Sequence, residues 1–123
     1  MMNIPSVLLI DDNADTLAVL GEMLLALGVQ RVRRSPSAEE ALQWLESETF
    51  SLIISDYRLE GMDGVQFVEK LRENGNRTPV MMLSGAPDKQ GVIRATQLER
   101  VDFFPKPFRI PEWMGAMERL MAA

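Results

Sequence analysis

Val7-Leu8-Leu9-Ile10-Asp11-Asp12-Asn13 is the stretch from which the fold can be read. Four consecutive apolar side chains with no polar alternation predict a short strand buried on both faces, as in a parallel sheet. The run stops at two adjacent carboxylates. A helical pattern then takes over across 14–27, with Leu17, Leu20, Leu24 and Leu27 at spacings of three and four and Gly28 as the stop. The same sentence is repeated along the chain. Val29 to Arg34 reads as a weak strand, and Ser37 with Glu40 as a capping box that opens a helix carrying Ala41, Leu42, Trp44 and Leu45. A strand over 50–55 ends in Asp56, a glycine-bearing loop covers 57–64, and a helix follows over 65–74. Pro79-Val80-Met81-Met82-Leu83 is a strand ending in Ser84-Gly85, and a poorer helix over 87–99 is interrupted by Gly91. Asp102-Phe103-Phe104-Pro105 closes on Lys106-Pro107, and a last helix over 111–121 turns Trp113, Met114, Met117 and Leu120 inward. Five strand–helix units without a hairpin signal predict an α/β fold, a five-stranded parallel sheet doubly wound by helices. Its crossovers should be right-handed.

Composition narrows the chemistry. The chain has 123 residues, enough for one domain with a substantial core, and contains neither cysteine nor histidine. Disulfides, thiolate nucleophiles, imidazole bases and imidazole or thiolate metal sites are therefore excluded within it. Any metal must be held by oxygen, which favours Mg²⁺, Mn²⁺ or Ca²⁺. A net charge of −5 argues against a broad nucleic-acid-binding face. Arg31, Arg33 and Arg34 read as solvated arginines that protect an edge strand from pairing with another chain. No apolar run approaches the roughly 20 residues that span a bilayer, and no signal-peptide pattern opens the chain, so a cytoplasmic location is expected.

In a doubly wound sheet, ligands bind beyond the carboxyl ends of the strands. Those ends carry Asp11 and Asp12, Asp56, Ser84 and Lys106. Taken singly, each has an ordinary explanation: a helix cap, a turn residue, a solvated lysine. All five arising by that route, each at the end of a predicted strand, is a poor account. Three carboxylates in one place repel one another, and a divalent cation relieves the conflict. With a lysine and a hydroxyl nearby, such a set suits phosphoryl transfer to a carboxylate.

These segments together resemble the receiver domain of two-component response regulators. The matching pieces are Val7 to Asn13, Leu52-Ile53-Ile54-Ser55-Asp56-Tyr57-Arg58-Leu59, Gly61-Met62-Asp63-Gly64, Pro79 to Gly85, and Asp102-Phe103-Phe104-Pro105-Lys106-Pro107-Phe108. The resemblance spans 1–123 as one receiver domain and implies a flavodoxin-like sheet of strand order 2-1-3-4-5. It implies that Asp56 is the phosphoacceptor, fed by a phosphohistidine on a histidine kinase or histidine phosphotransfer protein. Asp11, Asp12, Asp56 and the backbone carbonyl of Arg58 would hold Mg²⁺ or Mn²⁺. Ser84 and Lys106 would bind the phosphoryl group, and Ser84 and Phe103 would switch with it. The change would pass to the face formed by the fourth helix, fifth strand and fifth helix. Not a conventional enzyme, the domain is expected to catalyse its own phosphorylation and a slow self-dephosphorylation, tuned by Arg58 and Ala86. The Lys106-Pro107 bond resembles the family's cis peptide.

Further expectations follow from the same resemblance. The first helix is the docking face, with Ala14, Leu17 or Ala18 as contacts. An effector protein or a separate output domain receives the signal, and a phosphorylation-dependent homodimer is in keeping with the family. No nucleic acid or membrane is expected to bind this chain directly. The chain is either free-standing or part of a longer regulator or hybrid kinase. Three departures from the pattern stand out: Glu60 where proline is usual, Arg100-Val101 in place of Gly-Ala, and Gly91 inside the fourth helix. Competing readings are a phosphorylation-independent degenerate receiver, an FMN-binding flavodoxin-like protein and an aspartyl-nucleophile phosphatase. The second lacks a glycine- and hydroxyl-rich phosphate loop, and the third lacks the Asp-x-Asp spacing and a cap.

Overall fold

The leading apolar run forms β1 (Ile4–Ile10), and Val7, Leu8 and Ile10 are fully enclosed. The computed structural model describes residues 2–85 and 89–122. β1 starts at Ile4, ahead of its apolar run, because β2 (Val29–Ser35) pairs with it from Ile4 whereas β3 (Leu52–Asp56) joins only at Val7. Pro5 lies in that one-sided stretch, where a missing N–H is tolerated. β4 (Val80–Ser84) and β5 (Val101–Pro105) complete a sheet of order β2-β1-β3-β4-β5, with every pairing parallel. This is the doubly wound order that the sequence resemblance implies.

Side chains alternate across the sheet and seed two cores. Val7, Leu9, Ile54, Met81 and Leu83 face α1 (Ala14–Ala26) and α5 (Ile110–Ala122). Leu8, Ile10, Ile53 and Met82 face α2 (Ala38–Leu45), α3 (Gly64–Glu73) and α4 (Lys89–Thr96). Each enclosed aliphatic side chain contributes roughly 1.5–3 kcal/mol, so these strands form the rigid frame that holds the site. Trp113 is fully buried, and its indole N–H donates to Met81 Sδ at 3.2 Å, which satisfies the one polar group that this large side chain brings inside.

Several local expectations are corrected. α1 ends at Ala26, so Leu27 is a half-buried cap, and Gly28 follows at φ +111°. α5 begins at Ile110 and buries Ala116 where Met114 was expected, with Met114 only half-buried. Ser37 Oγ accepts from the Glu40 N–H at 3.1 Å, the serine half of the predicted capping box. A complete reciprocal box lies instead at Asp63 and Gln66. α4 ends at Thr96, and the predicted start of that helix at 87–88 lies outside the described residues.

The arginines of β2 are not simply solvated. Arg33 stacks over the Trp44 ring at 3.7 Å and pairs with Glu48, while Arg31 lies over Phe50 at 5.0 Å and also reaches Glu48. Arg34 points to the other face, where its Nε–H donates to Leu17 O at 3.1 Å. A Cβ at Gly21 would collide with that guanidinium, 2.1 Å from Nη2, so α1 has a glycine where Arg34 crosses it. Arg100, in the place of the family's usual glycine, takes φ +57°, a conformation that costs a side-chain-bearing residue about 1–2 kcal/mol.

Candidate functional site

Backbone hydrogen bonds extend the parallel ladders past the strand ends and fix the residues that carry the polar side chains. The N–H of Asp11 donates to Ser35 O at 3.1 Å, that of Tyr57 to Leu83 O at 2.9 Å, and that of Lys106 to Ser84 O at 2.7 Å. Ile10 is in register with Ser55, Asp56 with Leu83 and Ser84 with Pro105. Asp11, Asp12, Asp56, Ser84 and Lys106 therefore lie along one edge of the sheet.

Three of these residues meet. One carboxylate oxygen from each of Asp11, Asp12 and Asp56 lies within 4.8 Å of the others. Lys106 Nζ stands 3.9 Å from Asp56 Oδ1 and is only partly exposed, so it is not a free surface lysine. Asp11 is buried and accepts from the Asn13 N–H at 2.9 Å. Capping of α1 falls to Asn13, whose side chain accepts from the Thr16 N–H at 3.0 Å. Neither Asp11 nor Asp12 serves as that cap.

Burial pushes the Asp11 carboxyl above its usual range. The Asn13 N–H and Lys106 oppose the rise, and Asp56 and Asp12 add to it. Burial also raises Asp56, against Lys106 and the backbone N–H groups of Arg58 and Tyr57, with Asp12 adding to the rise. Two crowded carboxylates with elevated proton affinity form a site that favours a hard cation, which replaces protons and takes oxygen ligands. The donor set is all oxygen, and so fits such a metal.

The loop after Asp56 closes tightly. The Gly64 N–H donates to Tyr57 O at 2.8 Å, and a Cβ at Gly64 would lie 2.8 Å from Asp56 O. That close approach explains the second glycine of Gly61-Met62-Asp63-Gly64. Asp12 is exposed, and its Oδ2 accepts from the Glu60 N–H at 3.2 Å, a donor that proline would lack.

Ser84 is enclosed at the end of β4. Phe103 is half-buried, and its ring packs against Tyr57 at 5.6 Å with a 54° tilt. Tyr57 links the loop to this aromatic, a connection that the sequence reading missed. The Arg58 side chain is exposed, with its guanidinium 5.8 Å from the Tyr57 ring centre. Ala86 lies outside the described residues. Lys106-Pro107 is cis.

Beside the carboxylates, an open cavity of about 650 Å³ runs between α1 and the segment after β5, lined by Asp15, Val19, Leu20, Met23, Lys106 and Phe108. Leu17, expected as a contact, is buried in the core, whereas Ala14 and Ala18 are exposed. Val19, at 59% exposure, is an apolar residue on α1 that sequence reading overlooked. It falls off the inward leucine register, which was the available signal. No helix among the described residues is long and apolar enough to cross a membrane.

Comparison with known proteins agrees with this geometry. The family model for the response regulator receiver domain matches residues 7–118. A probable chemotaxis protein CheY from Rhizobium etli is 29% identical over 119 residues, covering 95% of this chain and 92% of that protein. The DNA-binding transcriptional regulator NtrC from Escherichia coli K12 is 29% identical over 113 residues, which cover 92% of this chain but 24% of the regulator. Among solved structures, FixJ-N superposes with a TM-score of 0.88 at 26% identity, covering 98% of this chain and 96% of that one. With its sheet order, acidic strand ends and nearly full-length match in agreement, the chain belongs to the response-regulator receiver-domain family of two-component signalling.

Proposed function

We propose that residues 1–123 act as a phospho-accepting switch in which Asp56 takes a phosphoryl group from a phosphohistidine on a histidine kinase or histidine phosphotransfer protein. The observation that carries this reading is the meeting of three carboxylates with Lys106 at the strand ends. An Asp56 oxygen attacks phosphorus, the phosphorus–nitrogen bond breaks, and the departing imidazole takes up a proton. Asp56 must be ionised to attack; Lys106 and the Arg58 and Tyr57 N–H groups favour that state against burial. Asp11, Asp12, Asp56 and the Arg58 carbonyl would hold Mg²⁺, with Mn²⁺ as a substitute, and a bound ion would offset charge on the phosphoryl oxygens. Lys106 supplies a second, fixed positive charge to them, and the Ser84 hydroxyl donates a hydrogen bond.

Loss of the Ser84 hydroxyl to the phosphoryl group opens space near β5, and Phe103 responds against Tyr57. The change reaches α4, β5 and α5, where an effector, a linked output domain or a second phosphorylated copy binds. The α1 cavity receives the phosphodonor protein: Val19 and Met23 offer apolar contact within reach of Lys106, and Asp15 marks its rim. The domain works in the cytoplasm, without direct contact with nucleic acid or membrane. Arg58 and Ala86 make self-dephosphorylation slow, and unchanged phosphate release in Arg58→Ala would count against that role. The reading is tested with beryllofluoride, an acyl-phosphate mimic. Calorimetry should show binding that requires Mg²⁺ and disappears in Asp56→Ala; binding that survives the substitution contradicts it.

A further inference from the structure

The loop from Tyr57 to Asp63 turns at Gly61, which sits at φ +78°, and runs into a second glycine, Gly64, at the start of α3. Such a segment loses much conformational freedom when it is fixed, so whatever holds it in advance lowers the cost of using it. Its base is closed by the Gly64 N–H on Tyr57 O, and its middle is tied to the site by the Glu60 N–H on Asp12. The outer turn is held from α2, whose first-turn residue Glu39 reaches across and accepts the Met62 N–H on Oε2 at 3.3 Å. Gly61 leaves room for that carboxylate: a Cβ there would lie 3.2 Å from the same oxygen. The loop also supplies the Arg58 N–H that faces Asp56.

We propose that Glu39 is a positioning residue for the cation site, holding the loop through Met62 so that the Arg58 backbone is already placed when Mg²⁺ enters. This rests on the reading of Asp11, Asp12 and Asp56 as the cation site. Glu39 touches neither cation nor substrate, and its hydrogen bond acts through the loop. Two effects of its charge must be separated, since a carboxylate near a cation site raises affinity by its field alone. Glu39→Gln keeps a carbonyl acceptor and loses the charge; Glu39→Ala loses both.

Mg²⁺ binding by calorimetry and amide exchange at Met62, measured on the unphosphorylated protein, test the idea. Glu39→Ala should weaken Mg²⁺ binding roughly three- to tenfold, the fold-change expected from one lost hydrogen bond. It should also speed exchange of the Met62 N–H, while Glu39→Gln stays close to wild type in both. Because Glu39 is exposed, both variants should fold. If Glu39→Gln falls as far as Glu39→Ala, the field rather than the hydrogen bond is at work and the proposal fails. If Glu39→Ala binds Mg²⁺ like wild type, it also fails, with the cation site intact. If wild type itself binds no Mg²⁺, the cation site is misread and the role of Glu39 falls with it.

Discussion

At Asp11 the fold encloses a carboxylate beside two others, and that conflict has a measurable signature. Asp11 and Asp56 both titrate above the ordinary value of 3.8. Between that value and the raised native one, the native state binds more protons than the unfolded chain. The contribution of these two carboxyls to metal-free stability is therefore fully present below the unfolded pKa and is lost as pH rises through the native pKa. Asp11→Asn keeps an oxygen for the Asn13 N–H and removes the charge. In urea melts at neutral pH without metal it should be more stable than wild type. The advantage should shrink as pH falls towards 3.8 and narrow when Mg²⁺ stabilises the wild type. A less stable Asp11→Asn at neutral pH would overturn this account of the cluster. Gly64 presents the opposite case, where space rather than charge decides. Gly64→Ala drives a methyl group into Asp56 O and should cost about 1–3 kcal/mol of stability in the same melts. A wild-type melt would show that the loop yields freely.

Among the elements, α4 stands apart. It spans Lys89–Thr96, buries only Gly91 and Ala95, and leaves Ile93 49% exposed, whereas α1 buries Leu17, Leu20, Gly21 and Leu24. Its tie to α3 is made by Arg94 to Glu69 at 3.0 Å and to Asp63 at 3.6 Å, surface pairs of modest strength. Gly91 costs about 1 kcal/mol more than alanine within a helix. Native-state amide exchange should find α4 the least protected helix; protection equal to that of α1 would contradict this. Strand and helix order was legible because doubly buried strands are written as unbroken apolar runs, each stopped by a polar residue at the sheet edge. The partners of Arg31, Arg33 and Arg34 were not, because Trp44, Phe50, Glu48 and Gly21 reach them only through tertiary packing. Asp63 with Gln66 is different: the capping pattern was present in the sequence and was overlooked. Glu39 was invisible for a physical reason, since its target is a backbone N–H on another element.

For the whole molecule, the parallel sheet is what converts separate strand ends into one site, with packed cores on both faces and the polar residues at the carboxyl edge. Asp11, Asp12, Asp56, Ser84 and Lys106 could be picked from the sequence because a parallel topology leaves their strand ends nowhere else to go. The absence of histidine from the chain gives the mechanism its direction. On the proposed reading, the phosphohistidine lies outside residues 1–123, and the carboxylate that receives the group is Asp56. The most direct test is phosphotransfer from purified, phosphohistidine-loaded kinases and phosphotransfer proteins in the presence of Mg²⁺, followed by peptide mapping of the labelled chain. The account predicts a single acyl phosphate on Asp56, lost in Asp56→Asn and on chelation of the metal. Label on another residue, or transfer that persists in Asp56→Asn, would contradict it.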